Sequence, residues 1–202
     1  MSALTPTPRV LVTVLGLLNL CACATTNAPG QAAPDNARAG IAAVSPGTVY
    51  DFECDVPPGH YSIWSRSVSA KGVAISGTLH FKELRSDRNW VPTATIGIAL
   101  GRNIGGAVRV EQSSPTDHML TVVLLDVGAS APKRIVGYLP LDAGLIHFSV
   151  QLTPDSVLRF SIAGINGFER FSRTNPVRVE LGCSTADVHF SNVTASMSNG
   201  AP

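Results

Sequence analysis

The chain has 202 residues, 45% of them hydrophobic and only 14% charged, with a formal net charge of +1. That balance suits one well-buried domain and lacks the concentrated basic patch that nucleic acid or an anionic membrane face requires. Lys82, Arg85 and Arg88 lie close together, as do Arg170 and Arg173, but Asp87 and Glu169 interrupt both groups.

The N-terminal segment reads as an export signal. Arg9 precedes an apolar run from Val10 to Leu20, too short for a permanent span, which takes roughly 20 apolar residues. Leu20-Cys21-Ala22-Cys23 then matches the leucine, any, small, cysteine pattern of bacterial lipoprotein signals. Residues 1–22 are therefore expected to be removed, and Cys23 to become a lipidated N-terminus that anchors the protein to a membrane. Ala24 is not aspartate, which by analogy with lipoprotein sorting favours the outer membrane of a bacterial envelope. The competing reading is ordinary secretion. Ala22-Cys23-Ala24 is also a small-x-small site, and cleavage after Ala24 releases a soluble periplasmic or secreted protein. From Cys23 onward the chain carries 14 basic and 14 acidic side chains, so its formal charge is zero.

Residues 23–48 are rich in alanine, proline, glycine and asparagine, with no apolar period, and read as a flexible tether. About 25 such residues span about 25–30 Å as a coil. Cys54 and Cys183 follow, a single pair in a compartment that favours oxidation, and they are expected to bond. The alternative is two buried free thiols. Neither has a second cysteine or a histidine at ligand spacing, which disfavours a metal.

Residues 49–195 change to period two. Val73, Ile75, Gly77, Leu79 and Phe81 alternate with polar residues, and such alternation buries one face of a strand. Ile96 to Leu100, Ile146 to Leu152, Leu158 to Ile162, Val177 to Leu181 and Val188 to Phe190 repeat the pattern. Leu120 to Leu125 is apolar apart from Thr121 and reads as a central strand covered on both faces. Gly105-Gly106 and Asn166-Gly167 are read as breaks, and Asp142-Ala143-Gly144 as a tight hairpin. About eleven strand candidates at this spacing, with no amphipathic helix, predict an all-β antiparallel two-sheet sandwich. Residues 196–202 are expected to form a disordered tail.

A family likeness rests on short motifs. Gly77-Thr-Leu-His-Phe, with Glu83-Leu-Arg and Asn89-Trp-Val-Pro, resembles an early segment of a concanavalin A-like lectin/glucanase jelly roll. Leu141-Asp-Ala-Gly-Leu-Ile-His-Phe-Ser-Val resembles the central hairpin of that class, and Val188-His-Phe-Ser-Asn-Val-Thr resembles its closing strand. The resemblance implies two curved sheets with the chain ends on neighbouring strands, which would bring Cys54 to Cys183. An immunoglobulin-like sandwich is the alternative, although the two cysteines lie far apart for its usual pairing.

The class includes glycan-binding proteins and glycoside hydrolases. Glu53-Cys54-Asp55 begins like the hydrolase strand, with two carboxylates on one side, but Pro57 and Pro58 stand where a third acid belongs. Neither glycosidase mechanism runs without a second well-placed carboxylate. No G-x-S-x-G elbow occurs. Asp117-His118 reads as a polar turn, and Asp126 and Asp142 stand alone, so no metal or cofactor is expected. Sugar recognition would draw on Tyr61, Trp64, Trp90 and Tyr138, with Arg66, Arg102, Asn103 and Phe168 as further candidates. Trp64, between polar neighbours, is expected to be the exposed tryptophan; Trp90, before Val91-Pro92, is expected to plug the core. The sequence thus predicts a non-catalytic envelope lipoprotein whose jelly roll binds a glycan or an envelope protein. A structural component without a small ligand and a divergent glycoside hydrolase are the alternatives.

Overall fold

The computed structural model describes residues 43–45, 47–101, 104–127, 133–171, 176 and 178–198. The expected signal peptide, Cys23, most of the tether, Arg102, Asn103 and the last four residues of the expected tail lie outside them. Among the described residues all regular structure is strand. The first four strands are β1 (Val49–Asp55), β2 (Tyr61–Ser67), β3 (Gly72–Leu84) and β4 (Thr93–Gly101). Next come β5 (Ile104–Glu111), β6 (Met119–Val127), β7 (Arg134–Pro140) and β8 (Ile146–Leu152). The last are β9 (Val157–Ile162), β10 (Ile165–Arg170), β11 (Arg178–Ser184) and β12 (Ala186–Ser198).

Two antiparallel six-stranded sheets result, in the orders β1-β12-β3-β8-β9-β10 and β2-β11-β4-β5-β6-β7. The chain switches sheets at β1–β2, β2–β3, β3–β4, β7–β8, β10–β11 and β11–β12, which makes the sandwich a jelly roll. Alternation supplies its core. Val73, Ile75 and Leu79 of β3 share one buried cluster with Ile96 and Ile98 of β4, Val108 and Val110 of β5, Phe148 of β8 and Phe190 of β12. Phe190 is fully buried and lies edge-on to Phe148, with ring centroids 6.3 Å apart.

Cys54 in β1 and Cys183 in β11 form a disulfide between the sheets, with Cα atoms 6.1 Å apart. It is the bond that the sequence predicts.

Local expectations are corrected in four places. Asp142-Ala143-Gly144 is not a hairpin: it joins β7 to β8 across the sandwich. Gly105-Gly106 and Asn166-Gly167 are not breaks, but lie inside β5 and β10. A side chain at Gly106 would meet Leu158 and Phe171, and one at Gly167 would meet the ring of Phe160, so packing rather than turning explains these glycines. The real hairpin between β9 and β10 turns at Ala163-Gly164, both with positive φ, as a two-residue turn of this hand requires. Leu120 to Leu125 in β6 is buried on both faces except at Leu125, yet β6 is one strand from the sheet edge, not central.

The domain also extends past its expected limits. Ala43 bridges to Ser67 and Val44 is buried, so the chain docks on β2 before residue 49. At the other end β12 reaches Ser198, because Ser196 to Ser198 pair with Ala74 to Gly72.

A cross-link over 129 residues restricts the unfolded chain strongly, by at most roughly 5 kcal/mol. Replacing both cysteines by alanine should lower unfolding free energy by about 2–5 kcal/mol, read from denaturant midpoints. An unchanged midpoint would contradict the staple's stabilising role.

Candidate functional site

Strand pairing assembles one face of the second sheet row by row. Val179, Leu181 and Cys183 of β11 point into the core, so Glu180, Gly182 and Ser184 point out. The register then lines up Tyr61, Ser184, Thr93, Glu111, Thr121 and Tyr138 across all six strands. The next row is Ile63, Gly182, Thr95, Arg109, Val123 and Ile135. A third runs Ser65, Glu180, Gly97, Ala107 and Leu125. Five strand spacings give each full row a reach of roughly 24 Å.

Over the β2, β11, β4 and β5 part of this face lies a cavity of about 430 Å³. Its floor is made of small residues: Thr93, Thr95, Gly97, Ala107, Gly182 and Ser184. A side chain at Gly182 would come within 2.9 Å of the Ser62 carbonyl oxygen, so that floor position admits only glycine without a shift. Tyr61 and Trp90 form the wall at one end. Their rings are stacked, 6.1 Å apart and 8° from parallel, and both are exposed (65% and 41%). The Asp87 carboxylate accepts hydrogen bonds from the backbone N–H groups of Asn89 and Trp90 and so shapes this loop. The Ser184 hydroxyl ties it to β11 by donating to the Val91 carbonyl, at 3.0 Å.

Charge gathers on the opposite wall. Glu111 is buried, yet its carboxylate faces Lys133 Nζ at 3.4 Å and Arg109 Nη1 at 3.7 Å. Arg109 and Lys133 line the cavity, while Glu111 lies behind them. Glu180, also on the wall, is paired with Arg178. Buried charge of this kind persists only with partners, and here the partners project into the cleft.

The residues predicted from sequence are distributed unevenly. Trp90 is in the cleft wall with Tyr61. Trp64 is not exposed as expected: it faces the interior, packs against the core and meets Tyr50 edge-on at 5.2 Å. Arg66 covers it, with its guanidinium carbon 4.6 Å from the ring centroid. Phe168 is 65% exposed but on the outer face of the first sheet, opposite Arg159. Tyr138 ends the first row on the far edge strand, beyond the cavity wall. Glu53 and Asp55 do share a face, again that of the first sheet, where they pair with Lys82 and Arg85. Arg109, Glu111, Lys133 and Glu180 are not among the residues that the sequence singles out. The trace was there: Arg109 and Glu111 interrupt Val108 and Val110, as Glu180 interrupts Val179 and Leu181, marking the solvent side of strands with apolar backs. Among the described residues no group of three or more His, Cys, Asp or Glu is placed to hold a metal ion.

The two tryptophans offer a direct check. In a Trp90→Phe variant the remaining emission, from Trp64, should resist acrylamide quenching, whereas in Trp64→Phe the remaining emission should be readily quenched. Equal quenching in the two variants would contradict the assignment of Trp90 to the exposed wall.

No protein-family model matches the chain, and no curated protein matches it. Solved structures do. The polysaccharide lyase family 18 domain of aly-SJ02 superposes with a TM-score of 0.55 at 10% identity, covering 74% of this chain and 88% of that one. The carbohydrate-binding module CBM66 from Bacillus subtilis gives 0.46 at 13% identity, covering 74% and 91%. The carbohydrate recognition domain of Emp46p gives 0.47 at 12%, covering 77% and 89%. At these identities a likeness speaks for fold alone, and the fold shared with the lyase domain is an antiparallel two-sheet jelly roll.

Proposed function

We propose that the protein is a non-catalytic glycan-binding module of a bacterial envelope, with the cleft of the second sheet as its binding face. One observation carries the reading: two stacked, exposed aromatic rings stand at the end of a cavity whose floor is made of small residues, among them the hydroxyls of Thr93, Thr95 and Ser184. Sugar rings have apolar faces and polar rims. A flat aromatic wall covers the first, while Thr93, Thr95, Ser184 and Arg109 offer donors and acceptors to the second. On the outer face of the first sheet Thr194, Ser76, Ser149 and Ser161 form a hydroxyl row, which serves as the comparison surface.

The anchor belongs to the same proposal. Lipid on Cys23 would hold the domain to the outer membrane, with the residues ahead of Ala43 as its tether. The lipoprotein-type cysteine pattern supports this, and so does a buried disulfide, which suits an oxidising compartment.

Two experiments test these claims. Trp90→Ala should weaken binding to whichever oligosaccharide the wild type selects on a glycan array by at least about tenfold, roughly 1.4 kcal/mol. Retained affinity would remove the platform from the account, and release of shortened products would overturn the non-catalytic reading. Cys23→Ala should move the protein from the membrane fraction to the soluble envelope fraction, and unchanged fractionation would contradict lipidation at that residue.

A further inference from the structure

The charge on the cleft wall has a consequence for which glycan fits, one that rests on the glycan-binding reading above. Two cations, Arg109 and Lys133, share the single carboxylate of Glu111. Glu111 is almost fully buried, with 7% of its side chain exposed, against 29% for Arg109 and 53% for Lys133. A ligand therefore meets the cations and not the acid. The other acid of the wall, Glu180, is occupied by Arg178 on the same strand. The contacts to Glu111, at 3.4 and 3.7 Å, are longer than the 2.7–2.9 Å or so of strong charge-assisted hydrogen bonds. Arg109 Nε reaches Thr95 Oγ1 at only 3.4 Å. Lys133 Nζ donates to both carboxylate oxygens at 3.4 Å, so Glu111 holds two like charges side by side while Lys133 keeps one N–H, and Arg109 its guanidinium edge, for a ligand.

We infer that the cleft selects an acidic oligosaccharide, with a ring carboxylate or sulfate seated between Arg109 and Lys133. That anion restores one negative charge per cation. The register also sets a minimum ligand size. Arg109 in β5 and Tyr61 in β2 are three strand spacings apart, roughly 14 Å. A ligand laid along that span, from the aromatic wall to the cations, is an oligosaccharide rather than a single sugar.

The test is calorimetric titration of the purified protein with three probes of equal length and linkage: a glucose oligosaccharide, its glucuronate counterpart and a sulfated derivative. The carboxylated or the sulfated probe, or both, should bind at least about tenfold more tightly than the neutral one, and added salt should shrink the difference. The arm that gains identifies the anion. Lys133→Gln and Arg109→Gln should each bring the ratio of acidic to neutral affinity down towards one. Lys133 is half exposed, so its variant is readable even if loss of Arg109 unsettles buried Glu111. Equal affinity for all three probes, or a preference that survives both substitutions, overturns the acidic class and leaves the glycan reading standing. Binding to none of these probes or to any array glycan overturns both.

Discussion

The whole arrangement depends on one corner of the chain, where β11 becomes β12. A single residue, Thr185, separates the two strands, although β11 lies inside one sheet and β12 inside the other. Thr185 is completely buried and adopts φ +52°, a conformation that β-branched residues rarely accept and that costs on the order of 1–3 kcal/mol. Its surroundings hold it there. The Thr185 N–H donates to the His60 carbonyl at 3.1 Å, the Arg85 N–H donates to the Thr185 carbonyl at 3.0 Å, and the Gly59 N–H donates to its hydroxyl at 3.3 Å. The corner therefore gathers the β1–β2 and β3–β4 connections, and the Cys54–Cys183 bond closes beside it.

That corner fixes the phase of β11, and β11 fixes the cleft. Cys183 must face β1, so Gly182 and Ser184 must face out. Slipping the pairing by one residue would turn Val179 and Leu181 to solvent and Glu180 into the core. β11 lies between β2 and β4, so the same phase brings Tyr61 from one side and Thr93 and Thr95 from the other into line with Arg109 and Glu111. Stability and the proposed binding face thus share one strand. The inward residues lock the sandwich and the outward residues leave it a floor of small side chains.

How much of this was legible depends on where the deciding contacts lie. Strands β3, β8 and β9 are read easily because one face is wet and the other fully buried, so period two survives intact. β5 and β10 hide behind glycines whose purpose is room for Leu158, Phe171 and Phe160, partners remote in sequence. The two tryptophans exchange roles for a related reason. Ser65, a polar neighbour of Trp64, takes the outward side of β2, and strand alternation then turns Trp64 inward under Arg66. Trp90 sits in a loop with no period to interpret, and the Asp87 carboxylate sets its direction. The cation pair was invisible for want of pairing information: Lys133 and Glu111 meet only once β5, β6 and β7 are in register. The cysteine pair needed no such detail, since Cys54 and Cys183 are the two cysteines past the export-signal pattern that ends at Cys23 and leave one pairing.

The central claim is that ligand meets the outward face of the second sheet. Amide chemical-shift mapping during titration of the ¹⁵N-labelled protein with its best array glycan examines this most directly. Shifts should concentrate at Tyr61, Trp90, Thr95, Arg109 and Gly182, and leave Ser76, Ser149 and Ser161 on the other sheet unmoved. The reverse distribution, with the hydroxyl rows responding while the cleft stays silent, would contradict the account.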